Sequence, residues 1–385
     1  MGRIPPALHH AEILSEQGLP VMAVEYGALR EEKTKILGKV PRWRLESPGA
    51  RSIPLRLRMF FFMFSAIRQI ASAIRRDGKP SVLVGHGLQE QILAYLLGRY
   101  FHIPFVVHVH EPYTKSDLSF MNRILFAWEG RCLRAAEFLV FPEKTRAEIY
   151  RKRYGLKNTI YLAYNSARLQ REIEKRDLRA LYQIPAQAKI LGYLGGIGPL
   201  NSPQQAISAL ASVPDLYFVL WGWGEPDYVQ FLQSFAAKIG VAERVKFLGE
   251  LGPKEKLSSL AGCDISYCVY RWDQLREQYQ ATASNKLMES LACGVPVLTN
   301  SREDFKAVVE GYDVGVCAKS LEPADIAAAL RELVRDELSL KRRSQNGRRV
   351  HLESLNFEHQ FQPVLERYRR MLGVSRSPGR YGRIS

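Results

Sequence analysis

The sequence predicts an α/β protein built from two doubly wound domains in tandem, facing a cleft. Three observations lead there. The chain has 385 residues, more than one ordinary core takes and enough for two domains of usual size. Short apolar runs alternate with stretches of helical length and pattern, as in parallel sheets covered by helices on both faces. The alternation lapses after about residue 165 and restarts at Ile190.

In the first half, Ala7–Gln17 reads as a helix stopped by Gly18, and Pro20–Val24 as a short buried strand. A long helix is expected over Leu55–Arg76, with Pro80 as its breaker. Ser81–Val84 then reads as a strand, Gln89–Tyr100 as a helix and Phe105–Val109 as a strand. After a further helical stretch, Phe138–Phe141 and Ile160–Ala163 are strand-like. Residues 1–165 make the first domain. Residues 166–187 are charged and lack a strong apolar face, so they read as a linker.

The second domain, 188–355, opens with the strand ILGYLGG and a helix over Pro203–Leu210. The strand LYFVLWG, a helix over 227–239, the strand VKFLG, a short helix over 254–261 and the strand DISYCVY follow. The helix Asn285–Ala292, the strand PVLTN and one last helix over 322–347 complete it. Residues 373–385 read as a disordered tail.

Composition narrows the classes of function. Hydrophobic residues make up 46% and charged residues 24%, a globular balance. The net charge is +16, of which about +11 falls on residues 1–165. An anionic partner suits that half: a phosphate-bearing substrate or an anionic membrane surface. No nucleic-acid-binding motif is present, and nucleic acid is set aside as a partner. The five cysteines, Cys132, Cys263, Cys268, Cys293 and Cys317, have no metal-ligand spacing and read as buried reduced thiols. The start, MGRIPPALHH, lacks the apolar run of a signal peptide, and Met59–Ala66 is far shorter than the roughly 20 residues of a spanning helix. The expected setting is therefore cytoplasmic. Leu55–Arg76 carries Arg56, Arg58, Arg68, Arg75 and Arg76 around a Met/Phe-rich centre, which reads either as a buried domain helix or as a basic amphipathic helix on the inner face of a membrane.

The chemistry concentrates in Ser284–Asn300, SNKLMESLACGVPVLTN. Ser284 can cap a short helix that Gly294 and Pro296 end. A helix start offers N–H groups and a positive dipole end to a phosphate. Lys286 and Glu289, three apart, share one helix face. A cation for diphosphate and a carboxylate for sugar hydroxyls can thus enter one pocket; spacing alone favours a solvated Lys–Glu pair.

This stretch resembles the donor motif of the retaining family-4 glycosyltransferases, P/S-x-K-x-x-E-x-x-A-x-G-x-P-V. The likeness continues through Leu191–Leu210, LWGWG at Leu220–Gly224, VKFLGE at Val245–Glu250, PFVVHVHEPY and VFPEKTRAEIY, and covers about residues 3–370. It implies a GT-B fold of two Rossmann-like domains, the first without its usual first strand, and a C-terminal helix over 356–372 that returns to the first domain. It implies a glycosyltransferase that moves a sugar from a nucleotide-sugar donor with retention, without metal or other cofactor, to a glycan or lipid-linked acceptor, in bacterial polysaccharide or envelope glycan synthesis. Gly195 and Gly196 would admit the phosphates, Gly222 would line the donor site, and Gly249, Glu250 and Leu251 would lie along the base. Ser284, Asn285 and Lys286 would face the diphosphate or sugar, and Glu289 the ribose. His110 would meet the transferred sugar, and Glu111 the acceptor. The family's second acidic residue is Ala281 here, and its basic pair is replaced by Asn201 and Ser202. These departures leave open a catalytically degenerate GT-B protein that binds a nucleotide sugar or a protein partner, or a sugar-nucleotide epimerase.

Overall fold

The structure, a computed structural model, describes residues 5–25, 40–45, 55–112, 120–271 and 279–374. It divides into two compact units. Unit 1 comprises Met1–Tyr164 with Gln360–Ser385, and unit 2 comprises Asn165–His359. The tail beyond residue 374 lies outside the described residues.

Unit 1 contains α1 (Pro5–Glu16), β1 (Ala23–Glu25), β2 (Arg42–Arg44), α2 (Leu55–Asp77), β3 (Leu83–His86), α3 (Leu88–Phe101), β4 (Phe105–His108), α4 (Phe120–Ala135), β5 (Leu139–Phe141), α5 (Lys144–Tyr154) and β6 (Ile160–Leu162). Strands β3-β4-β5-β6 form one parallel sheet in that order. Every residue of β4 and β5 is buried, as expected of strands covered on both faces. In the β3–β4 ladder His86 stands opposite His108. Strands β1 and β2 pair with each other. The strand expected at Pro20–Val24 is thus shifted to Ala23–Glu25, and its partner Arg-Trp-Arg was not foreseen. Two charged residues around one tryptophan carry no apolar alternation; Trp43 packs under α2 and α3 with Met63 and Leu93.

Unit 2 begins with α6 (Leu178–Tyr182). Next come β7 (Lys189–Leu194), α7 (Pro203–Leu210), β8 (Leu216–Trp221), α8 (Pro226–Lys238), β9 (Val245–Phe247), α9 (Pro253–Ala261) and β10 (Ile265–Tyr267). The unit continues with α10 (Asn285–Cys293), β11 (Val297–Asn300), α11 (Glu303–Val309), β12 (Gly315–Ala318), α12 (Pro323–Arg335) and α13 (Glu337–Glu353). A final helix, α14 (Phe357–Leu372), starts here and supplies unit 1 from Gln360 onward.

The six strands are parallel and ordered β12-β11-β10-β7-β8-β9. The chain winds outward from β7 to β9, then returns to the other side of β7 and winds out again. The reversal falls between β7 and β10, and ligands of such sheets bind beyond the strand ends at that point. The two-residue period assigns each face its core. Leu216, Phe218 and Leu220 pack against α7, α8 and α12, while Val219 and Trp221 pack toward α6 and α9.

Two details depart from the pattern read in the sequence. The single helix expected over 322–347 is two helices that meet at Asp336, whose extended backbone and side chain cap α13 through Leu338 N at 3.0 Å. Residues 166–187 are fastened to unit 2. Leu178 and Ile184 are buried, Arg179 bonds Asp264 at 2.7 Å, and Arg348 donates to the carbonyls of Gln170 and Arg171, each at 2.7 Å. Among the described residues, no helix is long and apolar enough to cross a membrane.

Candidate functional site

At the reversal of unit 2, three glycines close the strand ends against one another. Gly195 follows β7 with φ +153°, Gly222 follows β8 with φ +152°, and Gly249 lies beyond β9 with φ +70°. Gly195 N donates to Trp221 O at 2.9 Å, and Gly222 N donates to Gly249 O at 2.7 Å. A Cβ on Gly222 would stand 1.7 Å from the Gly195 carbonyl oxygen. Only glycine tolerates that approach together with that φ. Gly196, by contrast, would meet nothing nearer than 4.0 Å, so its side of the loop is open. Trp223, on the next turn, is 59% exposed, and its carbonyl accepts from Ile197 N at 2.7 Å.

Helix α10 starts at the same place. Ser284 caps it, accepting from Leu287 N at 3.1 Å, and shares a 2.5 Å hydrogen bond with Tyr270 Oη; Gly294 ends the helix with φ +64°. Asn285, in the first turn, is half-buried. The Lys286 stem runs beside Gly195, 3.5 Å from where a Cβ would be. Its ammonium lies 4.6 Å from the centre of the Tyr193 ring and 4.1 Å from that of Tyr270. It also donates to Asn201 Oδ1 at 2.7 Å, while Asn201 Nδ2 donates to Gly196 O at 2.8 Å. A cation is thereby fixed over a glycine loop at a helix start, an arrangement suited to an anion.

One turn along, Glu289 is buried and paired with Lys256 of α9, Nζ to Oε1 at 2.5 Å. Its Oε2 has no protein partner among the described residues. Glu250 is exposed, and Leu251 is half-buried against the core beside Trp221.

In unit 1, His110 follows β4 and Glu111 beside it is exposed. Arg146 of α5 donates to His110 O at 3.0 Å. The His110 ring bonds His86 (Nε2 to Nδ1, 3.0 Å), and His86 in turn bonds His10 of α1 (Nε2 to Nδ1, 3.0 Å). Burial, then the Arg146 charge, pushes His110 down to about 4. Burial likewise takes His10 to about 3 and holds His86 and His108 well below the usual imidazole range. No Cys/His cluster is visible in the sequence, yet ligand atoms of His10, His86 and His108 lie within 4.8 Å of one another.

Comparison with known proteins fits this geometry. The sequence profile of glycosyl transferases group 1 matches residues 174–350, and that of glycosyltransferase family 4 matches residues 8–171. The chain belongs to glycosyltransferase family 4. Its curated relatives include D-inositol 3-phosphate glycosyltransferases. The one from Corynebacterium jeikeium is 26% identical over 40% of this chain and 37% of its own length. The one from Stackebrandtia nassauensis is 26% identical over 53% and 48%. The chain thus spans less than half the length of these relatives. Among solved structures, sucrose-phosphate synthase of Thermosynechococcus elongatus aligns with TM-score 0.75 and 16% identity over 95% of this chain and 92% of that one. HepE of Anabaena, in complex with UDP and glucose, aligns with TM-score 0.73 and 15% identity over 96% and 95%. At such identities the likeness speaks for the GT-B fold alone.

The two departures from the family-4 pattern both have local answers. Asn201, uncharged, anchors Lys286. The Ala281 N–H donates to the Asp304 carboxylate at 3.2 Å, so an acid from α11 stands beside the position that lacks one. Lys256, Asn201, Tyr193 and Tyr270 were not singled out as site residues, because each lies far in sequence from the motif it supports. His10 and His86 escaped notice for the same reason.

The buried histidines make stability depend on pH. Their folded-state values lie below the ordinary 6.5, so the unfolded chain binds more protons, and stability falls as pH drops from about 6.5 toward 4. Each such ring contributes up to about 1.4 kcal/mol per pH unit in that window. Urea unfolding at pH 7, 6 and 5 is expected to show this loss, with a shallower slope in His10→Phe. A slope unchanged by that substitution would contradict the assignment.

Proposed function

We propose that this family-4 protein transfers a sugar from a nucleotide-sugar donor to a glycan or lipid-linked acceptor with retention. The observation that carries the reading is Lys286, held by Asn201 and two tyrosine rings over an open glycine loop, with the Glu289 carboxylate one turn away on the same helix. In this reading Glu289 Oε2 accepts from the ribose while Lys256 holds Oε1 in place. Gly249–Leu251 border the base. The backbone at Gly195, Gly196 and Gly222 admits the diphosphate, and Lys286 with the start of α10 takes up its charge. The bond between the anomeric carbon and the phosphate oxygen breaks, and its electrons leave with the nucleoside diphosphate. Lys286 and the helix dipole stabilise that departing charge, which is the part a metal ion would otherwise play. The acceptor oxygen bonds to the same face of the sugar and gives its proton to the departing phosphate. His110 is assigned to the transferred sugar and Glu111 to the acceptor, on the family resemblance.

The HepE structures described as complexes with UDP, with UDP and glucose, and with UDP-glucose support a nucleotide sugar as the ligand class. WaaG, a glycosyltransferase involved in lipopolysaccharide biosynthesis, shares the fold with TM-score 0.66 and 14% identity, which agrees with a place in bacterial envelope or polysaccharide synthesis. A UDP-N-acetylglucosamine 2-epimerase from Listeria monocytogenes, described as putative, aligns with TM-score 0.62. The fold therefore does not select the reaction; the two family matches favour transfer.

The basic half supports docking at the cytoplasmic face of a membrane. On α2, Phe61 and Phe64 are exposed, with the Arg68 guanidinium 5.9 Å from the centre of the Phe64 ring; on α4, Ile124 and Trp128 are exposed, with Arg131 over Trp128 at 5.2 Å. Exposed aromatics flanked by arginines suit an anionic lipid interface. The side chains of Arg56 and Arg58 lie outside the described residues. Sedimentation with vesicles that contain phosphatidylglycerol is expected to capture the protein. Capture should weaken as salt rises and fall several-fold in Phe64→Ser/Arg68→Gln. No capture, or capture indifferent to both, would remove docking from the account.

The donor reading is tested by calorimetry with a panel of nucleotide sugars. One should bind, and Glu289→Ala should weaken it about tenfold to hundredfold, the loss of a charge-assisted hydrogen bond of roughly 1.5–3 kcal/mol. Lys256→Met should cost less, because the carboxylate remains but loses its orientation. Wild-type affinity in folded Glu289→Ala would refute the assignment. No binding of any donor would favour a degenerate GT-B protein that binds a protein partner.

A further inference from the structure

Four of the eight histidines meet inside unit 1. The β3–β4 register sets His86 beside His108, His110 lies two residues further on, and α1 lowers His10 onto them. The His10 ring stacks on that of His108, with centroids 4.4 Å apart and planes 20° apart. Three rings form a line: His110 Nε2 to His86 Nδ1, then His86 Nε2 to His10 Nδ1, each at 3.0 Å. At the far end His10 Nε2 is buried without a partner among the described residues, and the centroid of its ring lies 4.8 and 5.3 Å from those of Phe361 and Tyr368.

We propose that His10 and His86 are positioning residues that lock His110 into a single neutral tautomer with its proton on Nδ1. Each N···N contact holds one proton, so the state of one ring dictates the next. The orphaned end chooses the direction. A buried N–H without an acceptor is rarer than a bare lone pair, so His10 Nε2 is bare and its proton sits on Nδ1. That proton is donated to His86 Nε2. The proton of His86 is then on Nδ1 and is donated to His110 Nε2. His110 is left with an N–H at Nδ1, the nitrogen that makes no hydrogen bond among the described residues. The burial that keeps these rings uncharged maintains the chain, since an imidazolium would turn one of its acceptors into a donor. Among the described residues, Arg146, which binds the His110 carbonyl, and the Tyr368 ring also face it. On the donor reading above, on which this functional consequence rests, His110 therefore offers a hydrogen-bond donor, not an acceptor, to an oxygen of the sugar.

A metal ion shared by His10, His86 and His108 is the competing arrangement. The near-parallel planes of His10 and His108 set their in-plane lone pairs side by side, so they do not converge on one point, and this favours the hydrogen-bonded line.

Long-range proton–nitrogen correlation on protein labelled with 15N-histidine reads each tautomer without substrate, so its outcome is separable from that of the donor reading. His86 and His110 should each give one Nδ1–H pattern that does not change between pH 5.5 and 8. His10→Phe should shift the nitrogens of both His86 and His110, two rings away. His86→Phe should leave His110 as a mixture of tautomers, and His86→Gln, whose amide can donate to Nε2, should restore the Nδ1–H form. Should the Phe variant fail to fold by circular dichroism, the Gln variant and His10→Phe still decide. His110 nitrogens indifferent to His10→Phe, averaged tautomers in the wild type, or stoichiometric zinc lost on His10→Phe would each overturn the proposal.

Discussion

The donor half of this protein depends on holding one ammonium group where a solvated lysine would not stay. Lys286 sits between two tyrosine faces and is tied through Asn201 to the carbonyl of Gly196. Aromatic faces attract the charge without neutralising it, and the Asn201 amide contact fixes its direction. The surrounding features follow from this placement. Gly195 is bare because its φ of +153° is one that side chains rarely adopt, and Gly222 is bare because the Gly195 carbonyl presses on it. Tyr270 is held by the cap residue of the same helix that carries the lysine. A change in any one of these would move the charge.

The sheet explains why these parts meet. The winding reverses between β7 and β10, so Tyr193 near the end of β7 and Tyr270 just beyond β10 flank one gap, into which α10 delivers Lys286. Glu289 and Lys256 come from two helices packed against each other, and their pairing orients a buried carboxylate. Unit 1 reaches a comparable end by other means. There, strand register and one helix residue assemble imidazoles that burial keeps neutral, so polarity is arranged without net charge.

Much of this was legible in the sequence, and the reasons are specific. The strands of unit 2 are continuous apolar runs because both faces are covered, so they stand out as segments. The donor motif is compact, with cap, cation, carboxylate and stop inside eleven residues, 284–294. What lay far apart in sequence was not legible. Lys256 is 33 residues from Glu289, and nothing local marks it among the charges of PKEKL. Asn201 looked like the loss of a charge, yet it anchors one. β2 was hidden because Arg42 and Arg44 mask a strand that a single half-buried tryptophan holds. The break at Asp336 was available in principle, since Asp followed by Glu337 is a helix-start signal; the strong amphipathic pattern of α12 just before it concealed it. His10 stands in an ordinary helical stretch, and only the fold reveals what it faces.

The claim that Lys286 is a pre-placed charge for a diphosphate is tested most directly by comparing two ligands in one variant. Calorimetry would measure the nucleoside and the nucleoside diphosphate of the preferred donor against the wild-type protein and Lys286→Met. The account predicts that affinity for the diphosphate falls about tenfold or more, roughly 1.5–3 kcal/mol, while affinity for the nucleoside is unchanged. An equal loss for both ligands, or no loss for either, would contradict it.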